Sequence, residues 1–149
     1  MSKPEYVYVV AIAKSPEEVW KALTSPEFTK QYWHRTEIQS DFSVGSPIRF
    51  MNESGDVGCE GEILTSKGPV ELAYTWHFPN NPDTKDEPPS RVTFKLEAIA
   101  TGTRLTMIHD QFEPDSRMLT LISGGWPLVI CGLKTLLETD HAVDFSVET

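Results

Sequence analysis

Basic residues are scarce in this chain: 13 Lys and Arg stand against 22 Asp and Glu, a formal charge of −9 over 149 residues. A nucleic-acid surface needs a basic face to displace counterions, and docking on an anionic bilayer needs one too, so the balance excludes both partners. The acidic residues are scattered and read as a solvated surface. Cysteine is nearly absent. Cys59 and Cys131 are the two present, both in apolar stretches without metal-ligand spacing, which excludes a disulfide framework and fits free buried thiols in a reducing cytoplasm. No uninterrupted apolar run reaches the length of a membrane span. The run Tyr6–Ala13 is rich in Val and Tyr and lacks a small-residue cleavage signal, so it reads as a strand and not as a leader. Catalytic words are missing as well: there is no Gly-x-Ser-x-Gly elbow and no His-Glu-x-x-His. Four widely spaced histidines make no metal site, and no cofactor is expected.

What is present is an ordered succession of elements. After the first strand, "KSPEEVWKAL" carries Ser15 as N-cap, Pro16 at the first helical position and Glu18 three residues beyond the cap. "SPEFTKQYW" repeats the device with Ser25 and Pro26, and Phe28, Tyr32 and Trp33 form its apolar face. From Thr36 to Gln111 the pattern changes to alternation, the mark of half-buried antiparallel strands. Inner faces are assigned to Ile48 and Phe50, to Cys59 and Ile63, to Leu72, Tyr74, Trp76 and Phe78, and to Val92, Phe94 and Leu96. Leu105, Met107 and His109 complete the set. The loop "PNNPDTKDEPPS" is long, acidic and proline-rich, so mobility is expected of it.

Near the end, Leu119, Ile122, Trp126, Val129, Ile130 and Leu133 recur at three- and four-residue steps, predicting a helix of about twenty residues with one continuous apolar stripe. Gly124, Gly125 and Pro127 interrupt it. Either the helix is kinked there or it restarts with Ser123 as cap. The glycines read as close packing against Trp33 or a strand, or as a hinge that admits a ligand. Beyond the helix, Val143, Phe145 and Val147 alternate as if to add an edge strand. The whole chain, 1–149, reads as one α+β domain with its core at about 5–140 and a short tail.

The inner faces define the candidate site. Trp33, Phe50, Tyr74, Trp76, Phe94 and Trp126 supply aromatic walls, with Cys59, Met107, His109 and Ile130 among them. Such walls are either plain core or a pocket for a flat apolar molecule. If the rings meet, no pocket remains. His109 is the polar residue of most interest on an inner strand face, suited to orient a ligand carbonyl or hydroxyl or to act as a general base or, failing a ligand, to bond a backbone carbonyl or the Tyr74 hydroxyl. No residue is assigned a catalytic role, and none a metal.

The words "IAKSPEEVWKALTSPE", "GEILTSKGPVELAYTWHF", "TGTRLTMIHDQF" and "GGWPLVICGLKTLLE" together resemble the activator of heat-shock protein 90 ATPase homologue family of the START-like, Bet v 1-like superfamily. The resemblance spans about residues 5 to 140. It implies a helix-grip fold, a curved seven-stranded antiparallel sheet wrapped around the long C-terminal helix, with two short helices after the first strand. It also implies a cavity between sheet and helix, where superfamily members commonly bind apolar molecules and a minority catalyse reactions. The aromatic inner faces and the lack of a catalytic constellation make non-enzymatic binding of an apolar molecule, lipid-like or aromatic, the leading reading. Two further readings stand beside that one. The first is a protein-interaction module acting on a chaperone in the stress response, or as a homodimer. The second is a cyclase- or hydrolase-type enzyme using His109, Tyr74 and Cys59.

Overall fold

A computed structural model of the protein describes residues 4–145. Strand β1 (Tyr6–Ile12) leads into two short helices, α1 (Pro16–Thr24) and α2 (Pro26–Tyr32). The meander follows: β2 (Glu37–Gln39), β3 (Pro47–Met51), β4 (Val57–Lys67), β5 (Glu71–Trp76), β6 (Ser90–Ile99) and β7 (Gly102–Asp110). Helix α3 (Arg117–Thr139) closes the order. All seven strands form one antiparallel sheet, arranged β1-β7-β6-β5-β4-β3-β2. This is the helix-grip architecture that the family resemblance implies. The two short helices carry the chain from one edge of the sheet to the other.

Local chemistry sets the helix starts. The Ser15 hydroxyl accepts from the Glu18 amide at 3.3 Å and donates to the Glu18 carboxylate at 3.2 Å, and Pro16 sits where no amide is needed. Ser25 does not repeat this. It stands at the N-cap of α2, but its side chain makes no capping bond; its backbone carbonyl accepts from Phe28 and Thr29 instead. The same residue ends α1, so its orientation serves two helices at once.

The core forms where the alternation predicts it. Register aligns Leu72, Phe94 and Met107 across β5, β6 and β7, and beside them Tyr74, Val92 and His109. All six are buried. Against them α3 lays Ile122, Trp126, Val129, Ile130 and Leu133. Each such burial is worth about 1.5–3 kcal/mol before chain entropy is charged.

Helix α3 runs unbroken through its glycines and proline, capped by Ser116, whose hydroxyl accepts from the Leu119 amide at 3.2 Å. A restart at Ser123 is therefore ruled out. Continuity wins because the buried residues before Pro127 and after it belong to one stripe, and breaking the helix would take half of that stripe off the sheet. The glycines correct the sequence reading too. A Cβ on Gly124 or Gly125 would meet nothing within 4 Å, so neither is there for close packing. The tight glycine of this helix is Gly132, where a Cβ would stand 3.0 Å from the Tyr32 Cβ. At 23 residues α3 is also long and apolar enough, by length and composition alone, to cross a membrane, which corrects the reading that no segment is. In the fold its apolar stripe covers the sheet.

Two more expectations change. Residues 141–145 form no strand; Asp144 instead accepts from the Arg35 amide at 3.2 Å, drawing the tail toward the end of α2. Val147 lies outside the described residues. Cys131 is exposed, not buried, because it falls on the outer face of α3.

Candidate functional site

An apolar cleft of ≈ 340 Å³ opens between the first turns of α3 and the β3–β5 end of the sheet. Trp33, which ends α2, and Phe50 of β3 form one wall; Cys59 of β4 and Trp76 of β5 form the floor. Helix α3 contributes Leu121, Ile122, Gly125, Trp126 and Val129. The rim is polar: His34, Thr36, Asn52 and Asn81, with Phe78 and Gly58 beside them. No Asp, Glu, Lys or Arg lines the cleft.

The aromatic rings do meet. Ring centroids lie 4.7 Å apart for Trp33 and Phe50, 5.5 Å for Trp33 and Trp126, and 5.3 Å for Trp76 and Trp126. They pack as one cluster, and the cleft runs along its flank. The ten candidate residues therefore divide. Trp33, Phe50, Cys59, Trp76 and Trp126 reach the cleft. Tyr74, Phe94, Met107, His109 and Ile130 do not line it; each is at most 1% exposed, in the core behind. The rim residues and Leu121 lie off the predicted inner faces and were not assigned. Phe78 shares the parity of Tyr74 and Trp76, which was the one available signal for the rim.

His109 sits at the centre of a closed hydrogen-bond chain. The Trp126 indole N–H donates to its Nδ1 at 3.0 Å. An indole nitrogen only donates, so Nδ1 is the acceptor and the ring proton lies on Nε2. From there it reaches the Ser90 hydroxyl at 2.7 Å, and Ser90 Oγ is 3.4 Å from the Trp76 carbonyl. These partners replace the backbone carbonyl or Tyr74 hydroxyl expected for it. Burial pushes the His109 pKa down to about 3, against a smaller opposing pull from Asp110. The ring is neutral near pH 7 and has no free nitrogen, so it positions Trp126 and is not placed to move a proton. Burial also raises the Cys59 thiol and holds the Tyr74 phenol well above its usual range. Neither is activated as a nucleophile or base. Among the described residues no cluster of His, Cys, Asp or Glu is built to hold a metal ion.

The loop between β5 and β6 is stitched down on the rim side of this cleft. The Asn80 amide donates to the Val57 carbonyl at 3.0 Å, and the His77 ring lies 2.9 Å from the Lys85 carbonyl. At its far end Glu87 accepts from the Ser116 hydroxyl at 2.6 Å and from the Arg117 amide at 2.8 Å, at the positive end of α3. Thr84 within it is buried. The expected loose loop is a strap tied to the start of the long helix.

With fold and cleft in view, comparison with known proteins becomes specific. The family model described as activator of Hsp90 ATPase homolog 1-like protein matches residues 13–138. The chain belongs to that family. Among solved structures, the family chain resembles protein MLL2253 from Mesorhizobium loti, at 28% identity and a TM-score of 0.78 over 93% of this chain and 99% of that one. The Aha1 dimer from Colwellia psychrerythraea aligns at 18% identity and a TM-score of 0.73, covering 91% and 97%. DynU16, from the dynemicin biosynthetic locus, aligns at 20% identity and 0.78, covering 95% of this chain and 50% of its own. The last two likenesses are of fold alone. A comparison with curated proteins finds no match.

Proposed function

We propose that this family member is a non-enzymatic binder of a small apolar molecule, lipid-like or aromatic, held in the cleft beside α3. The observation that carries the reading is the wall itself: three of the four tryptophans line an open cleft of ≈ 340 Å³ that holds no Asp, Glu, Lys or Arg. The three indoles are each at most 4% exposed, so an apolar occupant gains contact with them as it enters and covers Leu121 at the mouth, which is 42% exposed. The movable wall is the start of α3. Pro127 has no amide to give the Ser123 carbonyl, so the turns carrying Leu121, Ile122 and Gly125 are joined to the rest by a weakened ladder. The chain's two free thiols suit a reducing compartment, the cytoplasm.

The test uses Gly125, which faces the cleft with nothing within 4 Å of an added Cβ. Gly125→Leu is expected to fold and to fill the cleft. Native mass spectra taken with a panel of neutral aromatic and lipid molecules should show a one-to-one adduct for the wild type and none for the variant. Adducts equal in both, or absent from both, would overturn the reading.

A second reading, an interaction module that pairs with another copy or with a chaperone, draws on the outer face of α3. Leu128 is 43% exposed there, with exposed Cys131 one turn on, and Leu121, at the cleft mouth, is 42% exposed. The Colwellia relative is described as a dimer. Sedimentation that shows a concentration-independent monomer would remove the homodimer form of it.

A further inference from the structure

Trp76 carries an anomaly. Its indole Nε1–H is shut off from solvent and has no hydrogen-bond partner, which holds for no other buried side-chain nitrogen or oxygen among the described residues. Leaving a buried donor unmade is costly, and native structures rarely do so without a reason. The surroundings explain why nothing within the protein satisfies it. Six rings pack around the Trp76 indole at centroid distances of 5.3–6.3 Å: Trp33, Phe50, Tyr74, Phe78, His109 and Trp126. Two of the six carry a strong acceptor atom: the Tyr74 hydroxyl, which makes no bond to the Trp76 indole, and His109 Nδ1, which already takes the Trp126 N–H. Trp126 has its partner; Trp76, on the cleft floor, does not.

We infer that Trp76 is the orienting donor of the cleft, and that the ligand is an uncharged, flat aromatic molecule bearing a carbonyl-type acceptor that enters acceptor first. This rests on the binding reading above and narrows its ligand class. Three observations converge on it. The orphan donor calls for an acceptor. No Asp, Glu, Lys or Arg lines the cleft, so a carboxylate or ammonium group finds no fixed counter-charge among them, and an ionised ligand is disfavoured. The tryptophan walls suit a planar ring system. In the empty cleft the nitrogen is covered, so the acceptor reaches it as the walls part, and the glycine–proline stretch of α3 is the wall built to yield.

Specificity follows from the same asymmetry. A site with a buried donor rejects an otherwise identical molecule that lacks the acceptor, because the donor is then left unmade beneath it. The matched probes are 9-fluorenone and fluorene, which share a flat three-ring frame and differ in one carbonyl, with 9-fluorenone-4-carboxylate as the charged counterpart. Each is titrated into the whole protein while the indole N–H resonances are followed by NMR, assigned through the backbone so that the readout needs no variant.

Fluorenone should bind about tenfold more tightly than fluorene, and the carboxylate more weakly than fluorenone. The Trp76 indole proton should move downfield with fluorenone and not with fluorene. Trp76→Phe should bring the two neutral probes to equal affinity, whatever that affinity is. If both neutral probes bind alike and the Trp76 resonance stays in place, the donor role is overturned and the binding reading survives. A preference for fluorenone that persists in Trp76→Phe assigns the acceptor to another group and also overturns it. If neither probe binds and no cleft resonance moves, the binding reading falls, and the donor role falls with it.

Discussion

A methyl group built on Gly124 meets no atom within 4 Å, and the residue is exposed on the outer side of α3. Glycine inside a helix costs chain entropy that alanine does not. Gly124→Ala is therefore expected to stabilise the protein by about 0.5–1 kcal/mol, read as a higher urea midpoint at unchanged slope. A lower midpoint would show that this turn is not helical in solution. Gly125 is one residue away and differs in consequence, because its missing side chain is part of the cleft volume. Two adjacent glycines thus separate helix stability from site shape. Gly132 is the opposite case: its hydrogen lets α3 settle against Tyr32 and the carbonyl of Val143, so a side chain there would push α2 and α3 apart.

Among the elements, α3 depends most on what is attached to its ends. At its start Ser116 both caps the Leu119 amide and donates to Glu87 of the strap. Near its other end Lys134 donates to the Ala11 carbonyl at 2.7 Å and to Glu138 at 2.6 Å, and Glu138 accepts from the Ala13 amide at 2.8 Å. These bonds tie the helix to the loop on one side and to the end of β1 on the other. Ser116→Ala removes the cap and one of the two bonds that hold Glu87, with an expected loss of about 1 kcal/mol. Hydrogen exchange in the variant should rise in the first two turns of α3 and in residues 79–89, and stay unchanged near Lys134. Uniform acceleration along the helix would mean that the cap and strap are not a local device.

For the molecule as a whole, His109 links stability to pH. It joins β7 to Ser90 of β6 and to Trp126 of α3, and through Ser90 it approaches the Trp76 carbonyl of β5. An unfolded histidine takes its proton near pH 6.5, whereas burial holds His109 unprotonated down to about 3. Between those values the unfolded chain binds the extra proton. The stability from this site is complete above about pH 6.5 and falls as pH drops toward 3, by up to about 3–5 kcal/mol. His109→Gln keeps an acceptor for Trp126 and a donor for Ser90 without the titration. It should fold at pH 7, at a cost of about 1–2 kcal/mol, and lose stability less steeply than the wild type between pH 6 and 4. Equal slopes in urea unfolding across that range would show that His109 is not the sensor. Carboxylates held low by their partners, such as Glu138 and Asp41, lose stability in acid in both proteins, so the difference isolates the histidine.

The sequence by itself determined whatever depends on near neighbours and on period. Ser15 and Pro16 mark a helix start by local hydrogen bonding, the alternation from Ile48 to His109 places side chains on one sheet face, and the stripe from Leu119 to Leu137 needs only the helical repeat. Together with the family resemblance, that was enough for the helix-grip order and most of the core. Tertiary structure decided which inner residues meet a cleft and which are sealed behind it. Parity says that Trp76 and Tyr74 face the same way, but not that the first reaches open space and the second does not. It also decided that α3 survives Pro127, since burying both halves of one stripe outweighs a lost backbone bond. Ser25 stands between two helices and makes no side-chain cap, and residues 141–145 form no strand, with Asp144 accepting from the Arg35 amide. The rim of the cleft was the least legible part. His34, Asn52 and Asn81 come from three loops that carry no period, and only the curved sheet brings them to one opening.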